Sequence, residues 1–169
     1  MYTRNLLWLV SLVSAAPLYA ADVPANTPLA PQQVFRYNNH SDPGTLDPQK
    51  VEENTAAQIV LDLFEGLVWM DGEGQVQPAQ AERWEILDGG KRYIFHLRSG
   101  LQWSDGQPLT AEDFVLGWQR AVDPKTASPF AGYLAQAHIN NAAAIVAGKA
   151  DVTSLGVKAT DDRTLEVTL

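Results

Sequence analysis

The 169 residues are 46% apolar and 9% aromatic, a composition that suits a folded globular domain and excludes a disordered chain. The formal net charge is −8 and the basic residues are scattered, which argues against a nucleic-acid partner, because phosphate binding needs clustered lysine and arginine. The chain has no cysteine, which excludes a disulfide-stapled or lipid-anchored secreted protein and any thiolate chemistry.

The N-terminus has the pattern of an export signal, which we assign to residues 1–20. Arg4 supplies the positive charge, LLWLVSLV (6–13) a short apolar core, and AAPLYA (15–20) an exit with small residues. The apolar run is shorter than the roughly 20 residues that span a bilayer, so a signal peptide is favoured over a transmembrane anchor. We therefore expect residues 21–169 to form an exported, periplasmic chain.

The first predicted elements are a strand, a loop and a helix. QVFRYNN (33–39) alternates as a strand does, and HSDPGTLDP (40–48) is rich in turn formers. NTAAQIVLDLFEGL (54–67) carries apolar residues at helical spacing, with Asn54 as the predicted cap and Gly66 as the predicted stop.

Two hairpins follow. LVWMDGEGQVQP (67–78) predicts two short strands around an Asp-Gly turn. WEIL and RYIFHL flank Asp88-Gly89-Gly90, which is a strong hairpin signal. WSDGQPLTAEDF (103–114) then predicts a turn and a helix that is capped by Thr110 and ended by Asp123-Pro124.

The last two predicted elements are a helix over AAAIVAG (142–148) and a strand over TLEVTL (164–169). No other predicted strand is an evident pairing partner for the strand over residues 164–169. We therefore expect residues 164–169 to form an exposed apolar edge, such as truncation of a longer chain would leave.

The sequence carries no catalytic or metal-binding pattern, and we predict no cofactor. His40, His96 and His138 lie far apart, outside the spacings of metal sites, and we interpret them as surface or interior histidines. The adjacent carboxylates Glu52 and Glu53 point apart in extended backbone, so a loop that faces solvent or a ligand is favoured over an acid-base pair.

Four tryptophans follow the signal segment, and we predict that they bury their rings in the core, with sugar or aromatic stacking as the alternative: Trp69, Trp84, Trp103 and Trp118. Tightly specified local geometry without reactive groups indicates a scaffold that holds a ligand. We expect the 103–114 segment to fix one wall of a binding site.

One long run resembles a known family. PAQAERWEILDGGKRYIFHLRSGLQWSDGQPLTAEDFVLGWQRAVDP (78–124) is similar to the signature region of the peptide-type extracytoplasmic solute-binding proteins, family 5. Further matches lie in TLDPQ (45–49), DLFEGL (62–67), TASPF (126–130) and DDRTLEVTL (161–169). The resemblance is strongest to oligopeptide- and murein-peptide-binding members. It implies an α/β fold of the periplasmic binding protein type II, a two-lobed clamp with a hinge, of which residues 21–169 would form part of the N-terminal lobe with its β-rich extension.

The resemblance also implies a function. The chain would be a periplasmic receptor, not an enzyme, that binds oligopeptide-like ligands as a monomer and delivers them to the membrane permease of an ABC importer. The family's first-lobe ligand contacts correspond to Glu52, Glu53, Asn54 and Phe130; Phe130 stands where the family has tyrosine, and Asn54 where an apolar residue is usual. The alternatives are a receptor for a non-peptide amphipathic small molecule, a fragment without independent activity, and a secreted hydrolase acting through Glu52 or Glu53.

Overall fold

The structure is a computed structural model that describes residues 27–28, 31–32 and 34–169. The predicted signal peptide, residues 1–20, lies outside the described residues. The chain divides into two units, Met1–Asn38 and Asn39–Leu169. In the part of the chain that the structure describes, no helix has the length and apolar character to cross a bilayer.

The predicted strand over residues 33–39 is wrong for residues 34–39, which the structure describes without strand pairing. Phe35 and Tyr37 are exposed, and their rings stack with centroids 6.1 Å apart and 25° between the planes. Alternation of side chains fits a strand, but a strand also needs a partner to take its backbone hydrogen bonds.

The larger unit mixes helices and strands, which confirms the predicted α/β class. Its order is α1 (Asn54–Leu63), β1 (Val68–Met70), β2 (Val76–Pro78), β3 (Ala81–Leu87), β4 (Arg92–Leu97), α2 (Ala111–Val122), α3 (Ala131–Gln136), α4 (Ala142–Val146), β5 (Val157–Asp161) and β6 (Thr164–Thr168). Two single-turn 3₁₀ helices, Pro124–Thr126 and Val152–Ser154, lie in the connections.

Four of the strands form one antiparallel sheet in the order β3-β4-β6-β5. β6 lies inside this sheet, where Leu165 faces Phe95 of β4 on one side and Ala159 of β5 on the other. The predicted exposed edge at residues 164–169 is therefore wrong: β4 and the unpredicted β5 pair with β6 on both sides. The alternation of the strand predicts that Leu165, Val167 and Leu169 face inward; Leu165 and Val167 are buried, whereas Leu169 is exposed. The edges of the sheet are β3 and β5.

The core lies between this sheet and the helices α2 and α4. Leu97, Val122, Ile145 and Leu165 are the largest fully buried side chains, and they come from β4, α2, α4 and β6. Burial of one such side chain contributes roughly 1.5–3 kcal/mol. The core thus joins parts of the chain that are distant in sequence.

The tryptophan prediction is half right. Trp118 packs against the core and Trp84 is half-buried. Trp69 and Trp103 are 55% and 43% exposed, so the prediction of buried rings is wrong for them. Trp69 lies in the separate two-stranded sheet of β1 and β2, and Trp103 lies on a turn, and neither position faces the core.

Local signals set the ends of α2 but not those of α1. α2 begins at Ala111 as predicted, and the Asp113 carboxylate accepts hydrogen bonds from the backbone N–H and the hydroxyl of Thr110, at 2.7 and 3.0 Å. α1 departs from its prediction: its cap is Glu53, Asn54 is its first residue, and it ends before Phe64, two residues ahead of the predicted glycine stop.

Both predicted hairpins are confirmed, β1–β2 and β3–β4. Between β3 and β4 the backbone takes three successive left-handed conformations, with φ of 52° at Asp88, 66° at Gly89 and 89° at Gly90. Glycine adopts this region without a steric penalty, which explains why the Asp-Gly-Gly run predicts the turn.

Candidate functional site

The four residues predicted to contact a ligand lie on two segments, 49–54 and 128–130. Glu52, Glu53 and Asn54 are exposed at the start of α1, and Phe130, 46% exposed, immediately precedes α3. The structure does not bring the four side chains into one hydrogen-bonded cluster. It joins the two segments through neighbouring residues.

Glu53 is fixed by the loop that precedes it. Its Oε2 atom accepts a hydrogen bond from the backbone N–H of Gly44 at 3.3 Å, and a Cβ built on Gly44 would lie 2.5 Å from Glu53 Oε1. Glycine at position 44 therefore lets the carboxylate lie against the loop backbone. The carbonyl of Glu53 also accepts the first helical hydrogen bond of α1, from Ala57 at 2.9 Å.

An ion pair anchors the chain just before the 49–54 segment. The Arg120 guanidinium, on α2, donates to both carboxylate oxygens of Asp47, with Nη2 at 2.6 Å and Nη1 at 3.0 Å. This hydrogen bonding, together with the backbone N–H of Gln49, lowers the pKa of Asp47 to about 2, against the opposing effect of burial. Asp47 is therefore ionised at neutral pH, and the two-point contact fixes its orientation.

Gln49 extends the same anchor. Its Oε1 atom accepts from Arg120 Nη1 at 2.6 Å, and its Nε2 atom donates to the carbonyl of Gly117 at 2.5 Å. α2 thus supplies both a donor, the Arg120 guanidinium, and an acceptor, the Gly117 carbonyl. The loop between residues 47 and 49 is consequently held to the helix at several atoms.

Ser128 connects the second segment to the first. Its hydroxyl donates to the carbonyl of Gln49 at 2.7 Å and accepts from the backbone N–H of Phe130 at 3.2 Å. Ser128 is only 8% exposed, so its side chain is largely shielded from water. Ser128 thereby fixes the start of α3, and with it Phe130, relative to the residues that lead to Glu52.

The arrangement suits recognition of a ligand. It offers exposed carboxylates and the first N–H groups of α1 on one segment, and one aromatic ring on the other. Within the described residues, no three histidine, aspartate or glutamate side chains are placed to hold a metal ion.

Four residues of this anchor were missed by the sequence analysis: Asp47, Gln49, Arg120 and Ser128. All four lie inside runs that carry the family resemblance, TLDPQ, TASPF and the run over 78–124. The available signal for the anchor was that these runs contain polar residues to which the resemblance assigns no ligand contact. Their contacts join positions up to 79 residues apart, which no local pattern reveals.

The 103–114 segment borders a different hollow. An open cavity of about 410 Å³ is lined by apolar and polar side chains, among them Trp103, Leu109 and Phe114. The four predicted ligand residues are not among the residues that line it. The expectation that this segment fixes one wall of a binding site stays a prediction.

The comparison with known proteins agrees with the resemblance. The model of the bacterial extracellular solute-binding proteins, family 5, matches residues 75–169. The periplasmic oligopeptide-binding protein OppA of Salmonella typhimurium is 51% identical over 95% of this chain, and the periplasmic murein peptide-binding protein MppA of Escherichia coli is 46% identical over 95%. The chain spans about 30% of the length of these curated relatives.

Solved structures give the same result. The crystal structure of Haemophilus influenzae OppA in complex with RPPGFSPFR has a TM-score of 0.74 and 45% identity, over 78% of this chain and 26% of that one. The unliganded open form of MppA has a TM-score of 0.73 and 47% identity, over 75% of this chain and 24% of that one. The family match covers more than half of the residues. The chain belongs to the bacterial extracellular solute-binding proteins, family 5.

Proposed function

We propose that this chain is part of a receptor that binds oligopeptides and delivers them to the membrane permease of an ABC importer. The observation that carries the proposal is 51% identity, over 95% of the chain, to a periplasmic oligopeptide-binding protein. The relatives are binding proteins rather than enzymes, and the geometry of the site suits binding.

The proposed ligand contacts are Glu52, Glu53, Asn54 and Phe130. An extended peptide is read largely through its backbone, which tolerates varied side chains. The exposed backbone at the start of α1 offers hydrogen-bond donors, the carboxylates offer charge for a ligand cation, and Phe130 offers an apolar surface. These residues come from two segments that Ser128 and Gln49 join.

The proposal extends to location and organisation. Residues 1–20 are the signal peptide, and residues 21–169 are part of the N-terminal lobe of a clamp that works as a monomer in the periplasm. The curated relatives are named as periplasmic proteins. The chain spans about 30% of their length, so in this proposal the complete protein has about the chain length of those relatives.

The test is calorimetric titration of RPPGFSPFR into the protein expressed from its complete gene, alongside the 169-residue chain. We expect saturable binding by the former and weak or absent binding by the latter. Phe130→Ala and Glu53→Gln are expected to weaken binding by about tenfold each, since one aromatic or charged contact is typically worth that much. Glutamine keeps an oxygen for the Gly44 N–H, so Glu53→Gln removes the charge while leaving the loop contact.

A matched control is Glu73→Gln, which neutralises an exposed carboxylate on the β1–β2 turn. We expect it to leave affinity unchanged. Equal losses in Glu53→Gln and Glu73→Gln would mean that net charge, rather than the proposed contact, governs binding. Failure of the complete protein to bind any peptide that is offered, or to carry one when native mass spectrometry is run on protein purified from cells, would contradict the proposal.

The same samples test the hydrolase alternative. The peptide is recovered after incubation and analysed by mass spectrometry, and we expect it intact. Cleavage that disappears in Glu52→Gln would favour the hydrolase over the receptor, because it would assign a catalytic role to that carboxylate.

A further inference from the structure

One node of side chains ties together both segments that carry the proposed ligand contacts. The node consists of Asp47, Gln49, Arg120 and Ser128, and we call it the 47–128 node. Arg120 binds Asp47 and Gln49, and Ser128 binds the carbonyl of Gln49. The contacts that Arg120 and Ser128 make with Asp47 and Gln49 join positions 71 to 79 apart along the chain, so the node is a tertiary contact and not a feature of one loop.

Gln49 is the centre of the node because each of its polar groups is used. Its N–H donates to Asp47 Oδ1 at 3.1 Å, its side-chain amide both accepts from Arg120 and donates to Gly117, and its carbonyl accepts from Ser128. A residue held at four points has little freedom to reorient. The buried side chain of Val51, 7% exposed, then fixes the short stretch between Gln49 and Glu52.

Ser128 makes the connection specific. Its hydroxyl stands between the Gln49 carbonyl and the Phe130 N–H, so a displacement of either segment breaks or strains a contact of the other. Because the residue is buried, water does not readily replace either partner, and loss of the hydroxyl leaves the Gln49 carbonyl without this donor. Ala127, in a left-handed conformation with φ of 51°, turns the chain immediately before it.

We propose that the 47–128 node couples the 49–54 and 128–130 segments into one rigid rim, with Arg120 and Ser128 as positioning residues. This inference rests on the proposed function for what the two segments contact. In this scheme neither residue touches ligand. Each preserves the relative placement of Glu52, Glu53 and Asn54 on one side and Phe130 on the other, which lowers the entropy lost when a ligand bridges them.

The coupling is measured without any ligand, by amide hydrogen exchange followed by NMR in the 169-residue chain. Each variant is read at amides of residues that the substituted side chain does not contact. Ser128→Ala is read at the amides of Gly44 and Ala57, which donate to Glu53. Arg120→Lys is read at the amides of Phe130 and Ala131, which donate to Ser128. We expect exchange about tenfold faster at these distant amides, since local opening of a coupled unit releases all its members.

The matched control is Arg98→Lys. Arg98 also donates to a carboxylate at 2.6 Å, that of Glu65, and both arginine side chains are 46% exposed. We expect no change at the four amides in this variant. Unchanged exchange across the node in Ser128→Ala and Arg120→Lys would overturn the proposal. So would acceleration that extends equally to the amide of Val167 in the sheet, because that pattern reports lost global stability instead of local coupling.

Ligand binding supplies the second readout, with RPPGFSPFR and the protein expressed from its complete gene. Arg120→Lys and Ser128→Ala are each expected to weaken binding about tenfold, and the double variant no more than the stronger single one, because both disrupt the same unit. Effects that multiply in the double variant would overturn the coupling. If the unmodified protein does not bind the peptide, the proposed function is contradicted, while the exchange measurement still decides whether the segments are coupled.

Discussion

The backbone of Gly156 lies directly against that of Thr168 at the end of β6. The Thr168 N–H donates to the Gly156 carbonyl at 2.8 Å, and a Cβ at Gly156 would lie 2.6 Å from the Thr168 carbonyl oxygen and 2.7 Å from Asn140 Cβ. Three stretches of chain meet at this point. The absence of a side chain at position 156 lets them approach.

Gly156→Ala is therefore expected to destabilise the fold by about 1–3 kcal/mol, the usual range for overpacking a tight contact. Urea unfolding followed by circular dichroism measures the change. Gly132→Ala is the control, because no atom lies within 4 Å of a Cβ at that exposed position in α3. We expect it to be neutral, or stabilising by up to about 1 kcal/mol. Equal effects of the two substitutions would contradict the close approach at Gly156.

The interior position of β6 leads to a second prediction. Leu165→Ala removes a fully buried side chain from the strand between β4 and β5, and we expect a loss of about 2–5 kcal/mol in the free energy of unfolding. Leu61→Ala removes the same group from a position that is 72% exposed, and we expect less than about 0.5 kcal/mol. A small cost at Leu165 would indicate an unpaired edge strand.

Acid should weaken the contact between Asp47 and Arg120. The pKa of Asp47 is lowered from 3.8 to about 2 in the fold, so the folded state favours the ionised form. This contribution to stability is complete above about pH 4 and is lost as the pH falls towards about 2. The difference in unfolding free energy between the wild type and Asp47→Asn should shrink across that interval. A difference that stays constant down to pH 2 would contradict the lowered pKa of Asp47.

Dye binding should report an apolar surface that lies elsewhere than at residues 164–169. Exposed apolar side chains border an open hollow of about 690 Å³: Leu61, Leu63, Phe64, Trp69 and Met70. Exposed surfaces of this kind bind other apolar groups. We expect fluorescence of anilinonaphthalene sulfonate with the 169-residue chain, reduced about twofold or more by Trp69→Gln with Leu61→Gln. Ile86→Gln on β3, 58% exposed in the wild type, should have little effect.

The elements that the sequence predicts well are those with local signals. α2 begins at the predicted residue because Thr110 and Asp113 are three positions apart and interact with each other, and the proline after Asp123 ends it. The turn between β3 and β4 needs only its Asp-Gly-Gly run. By contrast, β5 and the place of β6 depend on pairing with strands elsewhere in the chain, which side-chain alternation does not encode.

The candidate site divides in the same way. Glu52, Glu53, Asn54 and Phe130 could be proposed because motifs that resemble a family carry them. The ion pair of Asp47 with Arg120 joins residues 73 positions apart, and its existence follows only from the packing of a loop on α2. Arg120 is one of seven arginines in the sequence, and nothing in its local sequence marks it as the partner of Asp47.

The four-stranded sheet is built from two hairpins, β3–β4 and β5–β6, that meet along the single seam between β4 and β6. Closing this seam encloses the whole of α2, α3 and α4 in one loop, and the entropy of that closure is lost before the contacts at the seam form. We therefore expect each hairpin to form before the two dock, and the docking to be the slow step. Folding kinetics should therefore be most sensitive to substitutions at the seam, such as those at Phe95 and Leu165.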